Sequence, residues 1–190
     1  VDGNQWTYLA YNSISTFSPQ NSTLEVLEST NLQVTVINND SIAHGFEVVG
    51  KGGVANIAPG DTGNASYSFT DENVFAYYDP LSSKRSRGLG LGGMIHIAKN
   101  NRTAFYWNIK EHQSDWIDDL AQGTTVDWTT YYPDYFLING RSHPDIIQDE
   151  SARVTGSVGD TLHIAITNTG NSDHSIHFHG YHCKVIKSSQ

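Results

Sequence analysis

Apolar and polar residues alternate along this chain in short bursts, each ending at a cluster of Gly, Asn or Asp. Leu32-Gln33-Val34-Thr35-Val36-Ile37 puts Leu32, Val34 and Val36 on one side and stops at Asn38-Asn39-Asp40. A period of two is the signature of a half-buried strand, and an Asn/Asp cluster is a turn signal. Gly45-Phe46-Glu47-Val48-Val49, Ala65-Ser66-Tyr67-Ser68-Phe69, Val74-Phe75-Ala76-Tyr77-Tyr78 and Gly93-Met94-Ile95-His96-Ile97-Ala98 follow the same rule. Short strands at this spacing predict an antiparallel sandwich over about residues 1–110, with Val34, Val36, Phe46, Val48 and Ile95 in its core. Thr103-Ala104-Phe105-Tyr106-Trp107-Asn108-Ile109 leads out of that unit as a further strand. Residues 111–130 lose the period and are expected to link two units, with one helical turn at Asp115–Leu120. Lys84-Arg85-Ser86-Arg87 is expected to be a solvated loop.

The pattern returns at Tyr135-Phe136-Leu137-Ile138, closed by Asn139-Gly140, a dipeptide suited to the positive φ angles of a tight hairpin turn. Leu162-His163-Ile164-Ala165-Ile166-Thr167 sets Leu162, Ile164 and Ile166 on one face and His163 and Ala165 on the other. A last strand is expected at Tyr181–Ile186, and His96 and His163 are expected at half-buried or surface positions. Leu32–Gly45 can be laid beside Leu162–Asn168 with His177–Gly180: an alternating strand, a polar turn, then His-Gly. Two units of related design are therefore expected, the second (131–190) shorter than the first.

Composition narrows the functional classes. Of 190 residues, 37% are apolar and 16% charged, and Lys+Arg total 11 against 20 Asp+Glu, for a net charge of −9. That sign repels a phosphate backbone, which argues against nucleic acid as a partner. No stretch approaches a membrane span. One cysteine, Cys183, excludes an internal disulfide framework and a Cys-rich zinc site. Low Lys content and the sequons at Asn21, Asn39, Asn64 and Asn101 point to an exported protein: extracellular, at the cell surface or periplasmic. No phosphate loop, nucleophile elbow or His-Glu-x-x-His helix is present.

Chemistry concentrates in His174-Ser175-Ile176-His177-Phe178-His179-Gly180. His177 and His179, two apart, project together from a strand, and His174 lies on the preceding turn. Neutral imidazoles with little sulfur nearby suit Cu(II) or Zn(II). This stretch resembles the His-Pro-x-His-x-His-Gly motif in the last cupredoxin domain of the multicopper oxidases, with Ser175 where Pro is usual. Asp134–Arg141 and Val158–Thr161 resemble segments of the same family. The resemblance implies an all-β, cupredoxin-like Greek-key β-sandwich, one complete domain plus the first part of a second, with copper as cofactor. It assigns His174 to a mononuclear blue copper, and His177 and His179 to a trinuclear cluster that reduces dioxygen.

Departures from the family are equally specific. The blue copper requires a His-Cys-His segment, and this chain reads none; Cys183 is expected to be a small buried hydrophobe instead. Where the family's first domain carries His-x-His-Gly and Tyr-His-x-His, this chain reads Ile42-Ala43-His44-Gly45 and Tyr77-Tyr78-Asp79-Pro80. That leaves His44 as a retained ligand or a turn histidine. Three functions follow: a multicopper-oxidase-like oxidoreductase passing electrons from a small-molecule or protein donor to dioxygen; a metal-binding cupredoxin without catalysis; or an extracellular assembly protein whose sandwiches pair by strand addition. In the first, another chain or oligomer completes the second domain.

Overall fold

The computed structural model describes residues 5–99 and 104–188; the sequon at Asn101 lies outside them. Strands β1 (Thr23–Leu27), β2 (Thr30–Ile37), β3 (His44–Val48), β4 (Gly52–Ile57), β5 (Thr62–Phe69), β6 (Asn73–Tyr78) and β7 (Gly92–Ala98) build a sandwich. One sheet has the order β1-β7-β6-β3-β4, and β2-β5 forms the other. Leu32 lies opposite Tyr67 and Val34 opposite Ala65, so the alternation in β2 points inward. The core is Phe46, Val48, Tyr67, Phe69, Tyr77, Ile95 and Ile97, with Val34 and Val36 half-buried against it. The expected core is therefore present.

Two strands escape the periodic pattern. β1 pairs parallel with β7, and β4 hairpins onto β3 from a Gly-rich stretch that carries few apolar residues. The basic run 84–87 is not a loop. It lies in helix α1 (Ser83–Gly88), where Arg85 donates to the carbonyls of Leu120 (2.5 Å) and Ala121 (3.0 Å). Those carbonyls end helix α2 (Ile117–Gln122), which closes on Gly123 at φ 76°. A guanidinium there satisfies orphan carbonyls at the negative end of the helix. Ile117 and Leu120 of α2 pack on Leu89, with Trp6, Leu9, Trp116 and Trp128 around them. The stretch expected to be a linker thus shares a small core with Leu89, Trp6 and Leu9.

A third sheet has the order β10-β8-β9, from β8 (Ala104–His112), β9 (Tyr135–Ile138) and β10 (His163–Asn168). The turn after β9 has Asn139 at φ 53° and Gly140 at φ 75°, as its dipeptide predicts. β8 runs three residues past the apolar pattern, through Lys110, Glu111 and His112. Its two faces differ. Tyr106, Asn108, Lys110 and His112 face the sandwich: Tyr106 bonds Glu25, Asn108 donates to Gly92 O (3.0 Å), and Lys110 to Gly90 O (2.6 Å) and Gly92 O (3.0 Å). His112 donates through Nδ1 to Gly88 O at 2.7 Å. Gly90 sits at φ 101° with a Cβ position only 2.3 Å from the Tyr8 ring, so no other residue fits there.

This seam covers the outer face of β7, and all seven residues of β7 are buried. His96, expected at the surface or half-buried, is therefore buried, with its ring edge-on to Tyr106. The expected strand at Tyr181–Ile186 does not form; Tyr181, Val185 and Ile186 are exposed. An extended segment becomes a strand only when a neighbour supplies its ladder bonds, and no described segment pairs with it. Cys183 is likewise exposed, not buried.

Candidate metal centre

The opposite face of β8 positions the histidine motif. Phe105, Trp107, Ile109 and Glu111 point away from the sandwich. Trp107 is fixed by its Nε1–H to Ala152 O (2.8 Å), and the Phe178 ring stacks on it at 5.6 Å and 19°. In an extended chain, residues on either side of an anchored one project the opposite way. His177 and His179 accordingly sit side by side, ring centroids 4.8 Å apart and nearly perpendicular, both exposed. The pair is brought together without the strand that the sequence predicts around it.

His174 lies apart from that pair. Its Nε2 meets the Glu111 carboxylate at 2.7 Å, and its ring lies edge-on to Phe136. Glu111 is wholly buried and also accepts from the backbone N–H groups of Asn171 (2.6 Å) and Ser172 (2.8 Å) and from the Tyr131 hydroxyl (3.2 Å). Burial first, and then the neighbouring Glu111, push the Tyr131 hydroxyl well above its ordinary range.

His44 is committed elsewhere. Its Nδ1 lies 2.9 Å from Asp79 Oδ2 and its Nε2 2.9 Å from Asp40 Oδ2. Asp79, fully buried, also accepts from Gly45 N, Leu81 N and Ser86 Oγ. The hydrogen bond to Asp79 is the largest influence raising His44 above its usual range, and burial opposes it only in part. A ring held between two carboxylates donates from both nitrogens and offers no lone pair to a metal. Asp79 stands in the stretch where the family carries imidazoles, so an internal ion pair occupies that part of the first unit.

Among the described residues, no three His, Cys, Asp or Glu side chains converge on one point as a metal cage. The donors fit copper in part: two adjacent exposed imidazoles, and a third ring backed by a carboxylate in the manner of metal-binding histidines. A thiolate is missing from that set. A groove of about 910 Å³ opens beside β10, lined by Phe105, Asp160, His163 and Lys184 among others, and the motif histidines do not line it. Sequence reasoning missed Glu111, although a signal was there: it is the one charged residue in the series Phe105, Trp107, Ile109, Glu111.

Residues 115–190 match the family profile described as multicopper oxidase. No curated protein sequence matches the chain. Among solved structures, the fold is similar to the multicopper oxidase mgLAC at 18% identity and TM-score 0.70, over 94% of this chain and 59% of that one. It is similar to a blue copper oxidase from Nitrosomonas europaea at 18% identity and TM-score 0.63, over 80% and 52% of the two chains. A copper nitrite reductase from the same organism gives 18% identity and TM-score 0.59, over 81% and 58%. This chain thus spans between half and three-fifths of those proteins, and what it shares with them is the fold.

Proposed function

We propose that this cupredoxin-fold chain, whose residues 115–190 match the multicopper oxidases, is the histidine-bearing part of a copper-binding redox protein. His177 and His179 hold copper together with donors supplied from another chain or an oligomer, and His174 serves a separate copper. The observation that carries this is the imidazole pair, 4.8 Å apart and turned outward because Phe178 is anchored on Trp107. Copper bound there supplies one-electron transfer, from a small-molecule or protein donor towards dioxygen. The chain's own contribution is to hold the two rings on one side and to keep them accessible. No thiolate stands near His174, so metal at that position is expected to be weakly coloured. The acidic surface and exported composition fit a donor met outside the cytoplasm. No described helix is long and apolar enough to cross a membrane.

Combining His177→Ala with His179→Ala tests the proposal in the full chain. Copper per chain after dialysis, read by elemental analysis, is expected to fall by half or more, with the circular dichroism spectrum and thermal midpoint unchanged. Undiminished copper in the double variant would overturn the assignment. A second reading rests on the three-stranded sheet, where Phe136 of β9 is exposed, and on the following segment, in which Tyr181, Val185 and Ile186 are exposed. Open strand edges and bare apolar side chains are templates for strand addition. Under that reading, the chain associates in an ordered way at equal strength with and without copper.

A further inference from the structure

Glu111 is a buried carboxylate to which the proposed copper chemistry assigns no part. It leaves β8 on the face that carries the motif and is 0% exposed. Three donors share Oε1: Asn171 N at 2.6 Å, Ser172 N at 2.8 Å and the Tyr131 hydroxyl at 3.2 Å. Oε2 is left for His174 Nε2, at 2.7 Å. The fit is close, since a Cβ at Gly170 would lie 2.0 Å from Oε2. Arg87, which donates to Gly170 O at 3.0 Å, brings positive charge to the same turn and interacts favourably with Glu111.

With Oε1 accepting from three donors, Oε2 is the acceptor that faces the ring, so the ring nitrogen facing it carries the proton. A neutral imidazole protonated at Nε2 has its lone pair at Nδ1. His174 Nδ1 makes no hydrogen bond to a described residue, and the side chain keeps 16% exposure while Glu111 keeps none. We propose that Glu111 is a positioning residue: it locks His174 as the Nε2–H tautomer and presents Nδ1 as the atom that takes the metal. Resting on the copper reading above, this adds the group that chooses the ligand atom. Fixing tautomer and ring orientation through the far nitrogen is how an outer carboxylate raises the basicity of a ligating histidine. A carboxylate that merely stapled the 170–174 turn would need only its bonds to Asn171, Ser172 and Tyr131.

The test is ¹⁵N NMR of histidine-labelled, metal-free full chain in mildly alkaline buffer, with the His174 signals identified by their loss in His174→Ala. The wild-type ring is expected to show protonated Nε2 and bare Nδ1. In Glu111→Gln the side-chain amide can donate to Nε2, and the ring is expected to switch towards Nδ1–H. Cu(II) affinity at His174, measured in the His177→Ala/His179→Ala background, is then expected to fall by roughly 10–100-fold. A wild-type ring protonated at Nδ1 would overturn the proposal, and this result stands whether or not the variant folds. A folded Glu111→Gln protein with the wild-type tautomer and unchanged affinity would also overturn it. A tautomer switch in a chain that takes up no copper would uphold the positioning role and overturn the copper reading.

Discussion

His44 shows how a ring weighed as a ligand can be wholly committed to carboxylates. An imidazolium between Asp79 and Asp40 balances a carboxylate that is 0% exposed, and Ser86 and two backbone N–H groups satisfy the remaining lone pairs of Asp79. Burial alone would favour the neutral acid at Asp79; the bonds from His44 and Ser86 outweigh it and hold the group below its usual range. Breaking such a pair from one side leaves a buried charge uncompensated, which costs several kcal/mol. His44→Ala is therefore expected to lower the unfolding free energy by about 3 kcal/mol in urea titration. Copper uptake per chain in the same variant should match wild type, and a drop would return His44 to the list of ligands.

The informative element is β8, a strand with a polar face turned to the sandwich, a mostly apolar face opposite, and no solvent on either side of its C-terminal half. Lys110 is 1% exposed, and burial brings its ammonium down to about 7; Glu111 beside it opposes that only weakly. His112, also buried, is lowered to about 4, first by burial and then by Lys110. Both groups have folded values below their unfolded ones, so each adds stability as pH rises and loses it as pH falls through the folded value. The windows differ: about pH 7–10 for Lys110, and about pH 4–6.5 for His112. His44 works in the opposite sense, its contribution fading as pH rises past its ordinary range. The clean measurement is therefore a difference. Subtracting the unfolding free energy of Lys110→Met from that of wild type should give a curve rising between pH 7 and 10. A flat difference would mean that Lys110 is protonated equally in both states.

At the scale of the molecule, a run of hydrogen bonds joins the three-stranded sheet to the sandwich. Besides the β8 contacts to Gly88, Gly90 and Gly92, Arg87 donates to Gly170 O (3.0 Å) and Asn171 to Lys84 O (3.0 Å). Most of these groups are buried, and separating the sheets would strand them without partners. The chain is thus expected to unfold in one step. All four tryptophans (Trp6, Trp107, Trp116 and Trp128) belong to the α2 core or to β8, whereas most strand residues belong to the sandwich. Thermal melts followed by tryptophan fluorescence and by far-ultraviolet circular dichroism should therefore coincide. Midpoints separated by several degrees would show that the seam does not couple the three-stranded sheet to the sandwich.

How much of this was readable beforehand depends on range. The alternation of Leu32–Ile37 and Gly93–Ala98, and the turn at Asn139-Gly140, are local facts of side-chain period and backbone φ, and they reappear at the same residues. The histidine motif was legible in the same way, because Phe178 between two histidines is enough to put both rings on one side. What the chain could not show in one dimension is which of two faces a partner covers. His96 reads as a surface or half-buried strand position and Glu111–His112 as the start of a linker; both are buried because the three-stranded sheet packs across β7. Conversely, Tyr181–Ile186 has the pattern of a strand and lacks a neighbour to pair with. Glu111 and His174 stand 63 positions apart and meet because β8 and the turn after β10 share one sheet. Periodicity carries information about a residue's own backbone; burial, ladder pairing and the choice of a hydrogen-bond partner belong to contacts that only folding creates.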